Sequence, residues 1–228
     1  YDNSKKEFKL NIEQGQQGIE IRYTMNGNEP DVNSPLYSGP ITINKTSVVK
    51  IAAFKDAHSI GKQYSLSFNF HKALNSKITL ANPYDERYRA GGENGLINGV
   101  RGTDNFRDGS WQGFEGVDFE AVLDLGLEKE ISKVNPRFFF ASNSWIFLPG
   151  KVEISLSVDN INYSDSKPIV NDVPQKNSEI LQKDFPLEFG NQKARFIKVK
   201  AESIKKCPDW HPGAGGKAWL FIDEIVVE

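Results

Sequence analysis

Apolar and polar residues alternate along several short stretches of this chain. The clearest are residues 19–23, 152–158 and 196–200. A period of two, with many β-branched residues, is typical of half-buried strands. Gly, Pro, Asn and Asp interrupt the apolar runs at short intervals, and no stretch has the periodicity of a helix longer than a few turns. The pattern therefore predicts an all-β protein built from sandwiches.

The character of the sequence changes near residues 71–76. Residues 64–70 alternate like the last strand of a domain, and a Gly-rich, aromatic segment follows. A length of 228 residues suits two modest domains. We therefore expect one domain at residues 1–72 and a second at 73–228. The first is close to the smallest size at which a domain has an independent core.

Composition and charge exclude some classes of partner. The formal net charge is −2, so the chain as a whole gives no basic footprint for nucleic acid or for an anionic membrane. No apolar run is long enough to span a bilayer. We expect no nucleic-acid partner, no membrane insertion and a monomer. Because the chain begins at Tyr1 without a signal-like segment, we also expect it to be a fragment of a longer protein.

The first domain carries a fairly specific set of motifs. They are the strand and turn Tyr23-Thr24-Met25-Asn26-Gly27-Asn28-Glu29-Pro30, the segment Ser34-Pro35-Leu36-Tyr37-Ser38-Gly39-Pro40-Ile41, and the strand Val48-Val49-Lys50-Ile51-Ala52-Ala53-Phe54. Asn-Gly is a strong turn signal because both residues tolerate positive φ. Residues 10–70 resemble the chitobiase/β-hexosaminidase C-terminal domain family. The resemblance implies a small immunoglobulin-like sandwich, which in that family lies beside a catalytic barrel.

The second domain carries weaker motifs in a specific order. They are Leu96-Ile97-Asn98-Gly99-Val100-Arg101-Gly102-Thr103, Val122-Leu123-Asp124-Leu125-Gly126, Ser157-Val158-Asp159-Asn160-Ile161-Asn162-Tyr163, Ala194-Arg195-Phe196-Ile197-Lys198-Val199 and Ile222-Asp223-Glu224-Ile225. Together they resemble the coagulation factor V/VIII type C family, also called the discoidin domain. Its bacterial sugar-binding branch is carbohydrate-binding module family 32. The resemblance implies a discoidin-type jelly-roll β-sandwich with a galactose-binding-like fold.

The two domains in this order resemble a more specific group of proteins. Three local variants, at residues 110–114, 145–149 and 219–224, are similar to the discoidin-type tail of Bacteroides-like chitobiases, the β-N-acetylhexosaminidases of glycoside hydrolase family 20. The resemblance implies a non-catalytic accessory region of a hydrolase that a bacterium exports to its periplasm or outer surface. It also implies two partners: glycans, and the catalytic domain of the parent chain.

Two adjacent carboxylates, Asp223 and Glu224, interrupt the apolar run that ends the chain. An unpaired buried charge is very costly, so these groups need a partner, and a cation is the obvious one. Calcium prefers six to eight oxygen ligands, which the loop at residues 95–103 could supply. The discoidin resemblance places the ligands at Gly95, Asn98, Val100, Thr103, Asp223 and Glu224. Asn98 stands where the family has Asp, so sodium is an alternative. The ion's role is expected to be structural.

Exposed aromatic residues in loops are candidates for gripping a sugar, because their faces pack against its C–H groups. Planar polar side chains nearby can bridge sugar hydroxyls. The predicted glycan contacts are Trp210, His211, Trp145, Arg137 and Asn143. Trp111 and Trp219 are expected to lie in the core.

Two other functions remain open at the level of sequence. A glycosidase needs two carboxylates that face each other across a cleft, and no carboxylate here has a recognisable catalytic setting, so we predict no catalytic residue in this fragment. The alternative to glycan binding is a purely architectural tail that docks on the catalytic barrel without touching sugar. Participation in an active glycosidase site is a less favoured alternative.

Overall fold

A computed structural model describes residues 1–2, 4–13 and 17–228. The chain divides into two compact units, Tyr1–Phe70 and His71–Glu228. Both are built from strands, with short 3-10 turns at Gly95–Ile97 and Ser142–Ser144. The all-β prediction is confirmed. In the described part of the chain, no helix is long and apolar enough to cross a membrane.

The first unit consists of two small antiparallel sheets. Its strands are β1 (Phe8–Leu10), β2 (Glu20–Thr24), β3 (Ile41–Ile43), β4 (Ser47–Lys55) and β5 (His58–Phe68). Strand β1 pairs with β3, and β4 lies between β2 and β5. Apolar side chains from both sheets form the core: Phe8, Ile41, Ile43, Val49, Ile51, Phe54 and Phe68. This is the small sandwich that the sequence predicts.

The predicted Asn-Gly turn follows β2. Gly27 has a φ of 81°, and its N–H donates to the carbonyl of Val48 at 3.0 Å. After the turn the chain returns to β2 only at Leu36, which forms an isolated bridge with Arg22. The turn therefore opens a long return loop instead of a tight two-residue hairpin.

The second unit has nine strands. They are β6 (Lys77–Leu80), β7 (Val100–Arg101), β8 (Gln112–Glu115), β9 (Phe119–Phe140), β10 (Lys151–Ser157), β11 (Ile169–Val170), β12 (Leu181–Asp184), β13 (Leu187–Ala201) and β14 (Trp219–Val227). Strands β10 and β13 contain the alternating stretches that the sequence pattern identifies as strands.

The long strand β9 organises this unit. Its first part pairs with β6 and β13, and its last part pairs with β12 and β14. The strand order is β11-β10-β13-β9-β14-β8. Register shifts in β13 and β14 let the strands bend around a large apolar core.

Strand β14 separates two apolar clusters. Leu220 and Ile222 lie in the large core, whereas Phe221 belongs to a smaller cluster with Trp111, Phe139, Ala141 and Ile146. Alternation along a strand explains this division, because successive side chains point to opposite faces. The register shift between Ile222 and Ile225 then leaves Asp223 and Glu224 buried.

Candidate functional site

A groove lined by aromatic rings lies on the outer side of the smaller apolar cluster. Two cavities form it, of about 450 and 270 Å³. They share Tyr88, Phe106 and Arg107 in their linings. We call the surface formed by Tyr88, Phe106, Trp145 and Trp219 the aromatic groove.

Ring-to-ring packing holds the aromatic groove in shape. The Tyr88 ring centroid lies 5.3 Å from that of Trp219 and 4.7 Å from that of Phe221. The Phe106 ring centroid lies 5.7 Å from that of Phe221, in an edge-to-face arrangement. Tilted and edge-to-face pairs of this kind are favourable beyond the area that they bury. The half-buried rings are therefore fixed from beneath by the buried Phe221, and each keeps part of its surface in solvent.

A glycine lets Tyr88 approach the sheet. Gly113 lies on β8, and its N–H donates to the Tyr88 carbonyl at 2.9 Å. A Cβ at this position would come within 2.6 Å of the Phe221 ring and 3.0 Å of the Tyr88 Cβ. Any side chain at Gly113 would push the two rings apart.

Trp145 forms the far wall of the aromatic groove, at the end of the 3-10 turn Ser142–Ser144. Its backbone is left-handed, with a φ of 61°, and its carbonyl accepts from the Trp219 N–H at 2.8 Å. The side chain is 41% exposed. Its indole lies directly over Gly213, where a Cβ would fall only 1.9 Å from Nε1. The position of Trp145 therefore depends on a glycine from another loop.

Polar groups stand around the aromatic rings. The Arg87 guanidinium lies 5.1 Å from the Trp219 ring centroid and is paired with Asp85 at 2.8 Å. That pairing lowers the pKa of Asp85, through the side-chain hydrogen bond from Arg87 above all. Arg107 lies 5.0 Å from the Phe106 ring centroid, and the exposed Asn143 lines the smaller cavity. The groove thus combines open aromatic surface with guanidinium and amide groups.

Of the five predicted glycan contacts, Asn143 and Trp145 line the aromatic groove. Trp210 is 40% exposed but stands outside both cavities, with its ring against Phe147 and His211.

His211 and Arg137 are buried, which differs from the expectation that they face a ligand. His211 is 5% exposed, its Nε2 lies 2.7 Å from the Ser142 carbonyl oxygen, and its Nδ1 accepts from the Gly213 N–H at 3.0 Å. Nε2 therefore contacts the Trp145 turn, and Nδ1 accepts a hydrogen bond within the loop that carries His211. Arg137 is 8% exposed and lies beneath Trp111, with its guanidinium 5.3 Å from that ring centroid.

The predicted glycan contacts do not include Tyr88, Phe106, Arg87 and Arg107, which line the two cavities. Trp219 is predicted to lie in the core, whereas the structure shows a half-buried ring on the aromatic groove. Trp111, by contrast, is fully buried, as the sequence predicts. The sequence signal for these residues is the mixing of arginine and aromatic residues in two polar loops, 85–92 and 103–110.

The buried carboxylate pair, Asp223 and Glu224, has protein partners. Asp223 accepts from Nε and Nη2 of Arg137 and from the Gly102 N–H at 2.8 Å. Glu224 accepts from the Gly99 N–H at 3.0 Å and lies 2.8 Å from His71 Nε2.

Burial dominates the electrostatics of this pair. Burial raises the pKa of Asp223, although the hydrogen bond from Arg137 opposes this. Burial raises the pKa of Glu224 well above its ordinary value, and the neighbouring Asp223 adds to the effect. Burial also lowers the pKa of His71 to about 3. Low dielectric disfavours the charged form of every group here, so the hydrogen bonds must offset a large desolvation cost.

The same contacts bear on the predicted calcium site. Donors surround both carboxylates, the Asn98 Oδ1 accepts from the Val100 N–H at 2.7 Å, and the Thr103 Oγ1 accepts from the Asn105 N–H at 3.2 Å. Gly95 is buried in the turn before Asn98. Within the described residues, no group of three or more His, Cys, Asp or Glu side chains could hold a metal. A cation on Glu224 would compete with His71 Nε2, which lies 2.8 Å from that carboxylate. Calcium binding stays a prediction.

Comparison with solved structures returns small sugar-binding modules, all at low identity. A fucose binding module of Streptococcus pneumoniae is 17% identical, with 76% of this chain and 97% of that chain covered and a TM-score of 0.45. The lectin domain of lectinolysin complexed with Lewis b antigen is 11% identical, with 70% and 96% covered and a TM-score of 0.45. Chitosan-binding module 1 of a Paenibacillus sp. IK-5 chitosanase/glucanase is 16% identical, with 70% and 99% covered and a TM-score of 0.43.

Sequence comparison identifies part of the chain. No curated protein matches it. Residues 3–64 match the family model of the chitobiase/beta-hexosaminidase C-terminal domain. This match confirms the resemblance that the turn, the Ser-Pro segment and the Val-rich strand of the first unit predict. The similarity to the chitobiase/beta-hexosaminidase C-terminal domain family is thus established for residues 3–64 of the chain.

Proposed function

We propose that this chain is a non-catalytic accessory region of a glycoside hydrolase that a bacterium exports, and that its second unit binds glycans in the aromatic groove. The family match over residues 3–64 supports the link to a hydrolase. The observation that carries the binding proposal is the groove itself. Tyr88, Phe106 and Trp219 pack on the buried Phe221, and Trp145 packs against His211. All four rings keep part of their surface in solvent, and Arg107 and Asn143 line the same cavities.

A protein that binds a sugar needs both an apolar and a polar surface. Pyranose rings present C–H patches that pack on aromatic faces, while their hydroxyls need planar hydrogen-bonding partners. The aromatic groove offers both kinds of surface within two adjoining cavities. Concave sites with apolar walls and a few convergent polar groups are the usual setting for small ligands.

The lining of the aromatic groove does not favour catalysis. Among the described residues that line its two cavities, Glu86 is the one carboxylate. Hydrolysis of a glycosidic bond ordinarily uses two carboxyl groups on opposite sides of the bond. We therefore propose that chemistry belongs to another domain of the parent protein and that this region positions the glycan.

A glycan array with the full 228-residue chain tests the proposal. We expect a subset of glycans to be retained, with weak affinities near the millimolar range, about −4 kcal/mol, since a shallow groove makes few buried contacts. An Asn143→Ala variant should lose most of this signal. An array on which the folded chain retains no glycan would contradict the proposal and favour the architectural alternative, in which the chain only docks on a catalytic domain.

A further inference from the structure

The aromatic groove carries an excess of positive charge. Arg87, Arg89 and Arg107 line its larger cavity together with one carboxylate, that of Glu86, and Asp85 pairs with Arg87 from outside the lining. The chain as a whole has a formal net charge of −2, so this local excess is not a property of the surface in general. A cleft lined by one sign of charge attracts ligands of the opposite sign.

The three arginines are not equivalent. Arg87 is committed to Asp85 through two hydrogen bonds, from Nε at 2.8 Å and from Nη2 at 3.0 Å. Because Asp85 already neutralises its charge, Arg87 adds little net charge to the cavity. Its guanidinium instead packs beside the Trp219 ring.

Two guanidinium groups remain available to a ligand. Arg89 lies 3.9 Å from Glu86, and both side chains are mostly exposed, so the pair is weak. Within residues 1–2, 4–13 and 17–228, Arg107 has no carboxylate partner, and its guanidinium lies over the Phe106 ring. The nearby carboxylate of Asp108 accepts from the backbone N–H groups of Thr103 and Ser110 instead.

We infer that the aromatic groove selects glycans that carry a negatively charged group, either a carboxylate or a sulfate. This inference rests on the proposed function. A guanidinium binds such planar or tetrahedral oxyanions through paired, charge-assisted hydrogen bonds. The acidic sugar occupies the larger cavity, near Arg89 and Arg107. A neighbouring sugar occupies the smaller cavity against Trp145 and Trp219.

The test compares three forms of one oligosaccharide: the neutral form, a form ending in a uronic or sialic acid, and a sulfated form. Each is titrated calorimetrically into the full chain at low and at high salt. We expect at least one acidic form to bind about tenfold more tightly than the neutral one, the effect of one charge-assisted hydrogen bond. The carboxylate and sulfate arms show which oxyanion fits. High salt should reduce the preference.

Arg107→Gln should remove most of the preference for the acidic form, measured as the ratio of the neutral to the acidic Kd in the same variant. Arg107→Lys should retain part of the preference for the acidic form, because lysine keeps the positive charge but cannot form the paired hydrogen bonds of a guanidinium. Arg195→Gln is the matched control. Arg195 also stacks on a phenylalanine, with its guanidinium 4.8 Å from the Phe196 ring centroid, but it stands outside both cavities.

The outcomes separate the inference from the proposed function. If neutral and acidic forms bind equally well, the inference is wrong and the proposed function stands. If the acidic preference survives Arg107→Gln combined with Arg89→Gln, the inference is also wrong, because other residues then bind the acidic group of the glycan. If no form binds to the folded chain, the proposed function fails, and the inference fails with it.

Discussion

The aromatic groove and the buried carboxylate pair lie in the same unit, and both contain charged groups beside aromatic rings. They differ in whether those groups are satisfied. Asp223 and Glu224 are fully buried, and each accepts hydrogen bonds from the protein. Arg107 and Asn143 are exposed on the rim of an open cavity. Satisfied buried polar groups fix a structure, whereas polar groups left open beside aromatic surface are available to a ligand.

The largest effect is expected from breaking the buried pair of Arg137 and Asp223. Arg137→Met removes the charge and leaves Asp223 uncompensated, which should lower the free energy of unfolding by about 3–5 kcal/mol. Urea denaturation followed by tryptophan fluorescence measures this. The control is Arg195→Met, whose ion pair with Asp124 is more exposed, and it should cost under about 1 kcal/mol. Equal losses in the two variants would contradict the account.

His71→Ala should have the next largest effect on stability. It leaves Glu224 without one of its two protein partners, at a cost of about 1–3 kcal/mol. The loss should appear as a lower denaturation midpoint. His58→Ala provides the control, because the His58 side chain is exposed and its ring lies against the carbonyl of Asp56, a near neighbour in the sequence. No loss in His71→Ala would show that the His71–Glu224 contact does not stabilise the fold.

Calcium provides a separate test of what stabilises the buried carboxylate pair. If calcium binds at this pair, as the sequence predicts, the wild-type melting temperature should be higher in calcium chloride than in EDTA; if the contacts from the protein are the sole partners of the two carboxylates, the two midpoints should be equal. Thermal melts in both buffers decide the question. A higher midpoint in calcium, with protection that needs Glu224, would support the calcium site that the sequence predicts and overturn the protein-only arrangement. At a hundredfold excess over Kd, a bound ion would add about 2.7 kcal/mol.

Gly213→Ala should damage the aromatic groove more than the fold. The added Cβ would clash with the Trp145 indole, so this ring must move and glycan binding should drop about tenfold or more. Overpacking of this kind also costs about 1–3 kcal/mol. Gly150→Ala is the control, because its Cβ would approach only the Glu202 carbonyl oxygen, at 3.9 Å. Titration with the array-selected glycan tests both variants, and unchanged binding in Gly213→Ala would show that Trp145 is not needed.

The sequence predicts the framework of the molecule better than its surface. Alternation at residues 152–158 and 196–200 predicts strands that the structure contains as β10 and β13. Such patterns are strong because one face of each strand must be buried. The burial of Asp223 and Glu224 also follows from the apolar run around them. Their partners do not, because His71 and Arg137 lie far away in the sequence and only the fold brings them together.

The candidate site could be predicted only in part. The sequence predicts Asn143 and Trp145 as contacts because they lie in a loop between strands, and the structure places both on the lining of the aromatic groove. Trp219 was assigned to the core because it begins an apolar strand, but burial depth at the end of a strand depends on what covers it. His211 looked like a contact residue in a polar loop, yet its ring supports the Trp145 turn. Long-range packing decides these cases, and local sequence does not encode it.

The most direct test of the central claim is a matched pair of tryptophan substitutions. Trp145 and Trp210 are similarly exposed, at 41% and 40%, but only Trp145 lines the aromatic groove. Glycan binding by each variant is measured by titration calorimetry, with a thermal melt to confirm folding. We expect Trp145→Ala to abolish glycan binding and Trp210→Ala to retain it. Both variants should have melting temperatures close to that of the wild type. Loss of binding in Trp210→Ala with normal binding in Trp145→Ala would contradict the account and move the site to the 207–213 loop.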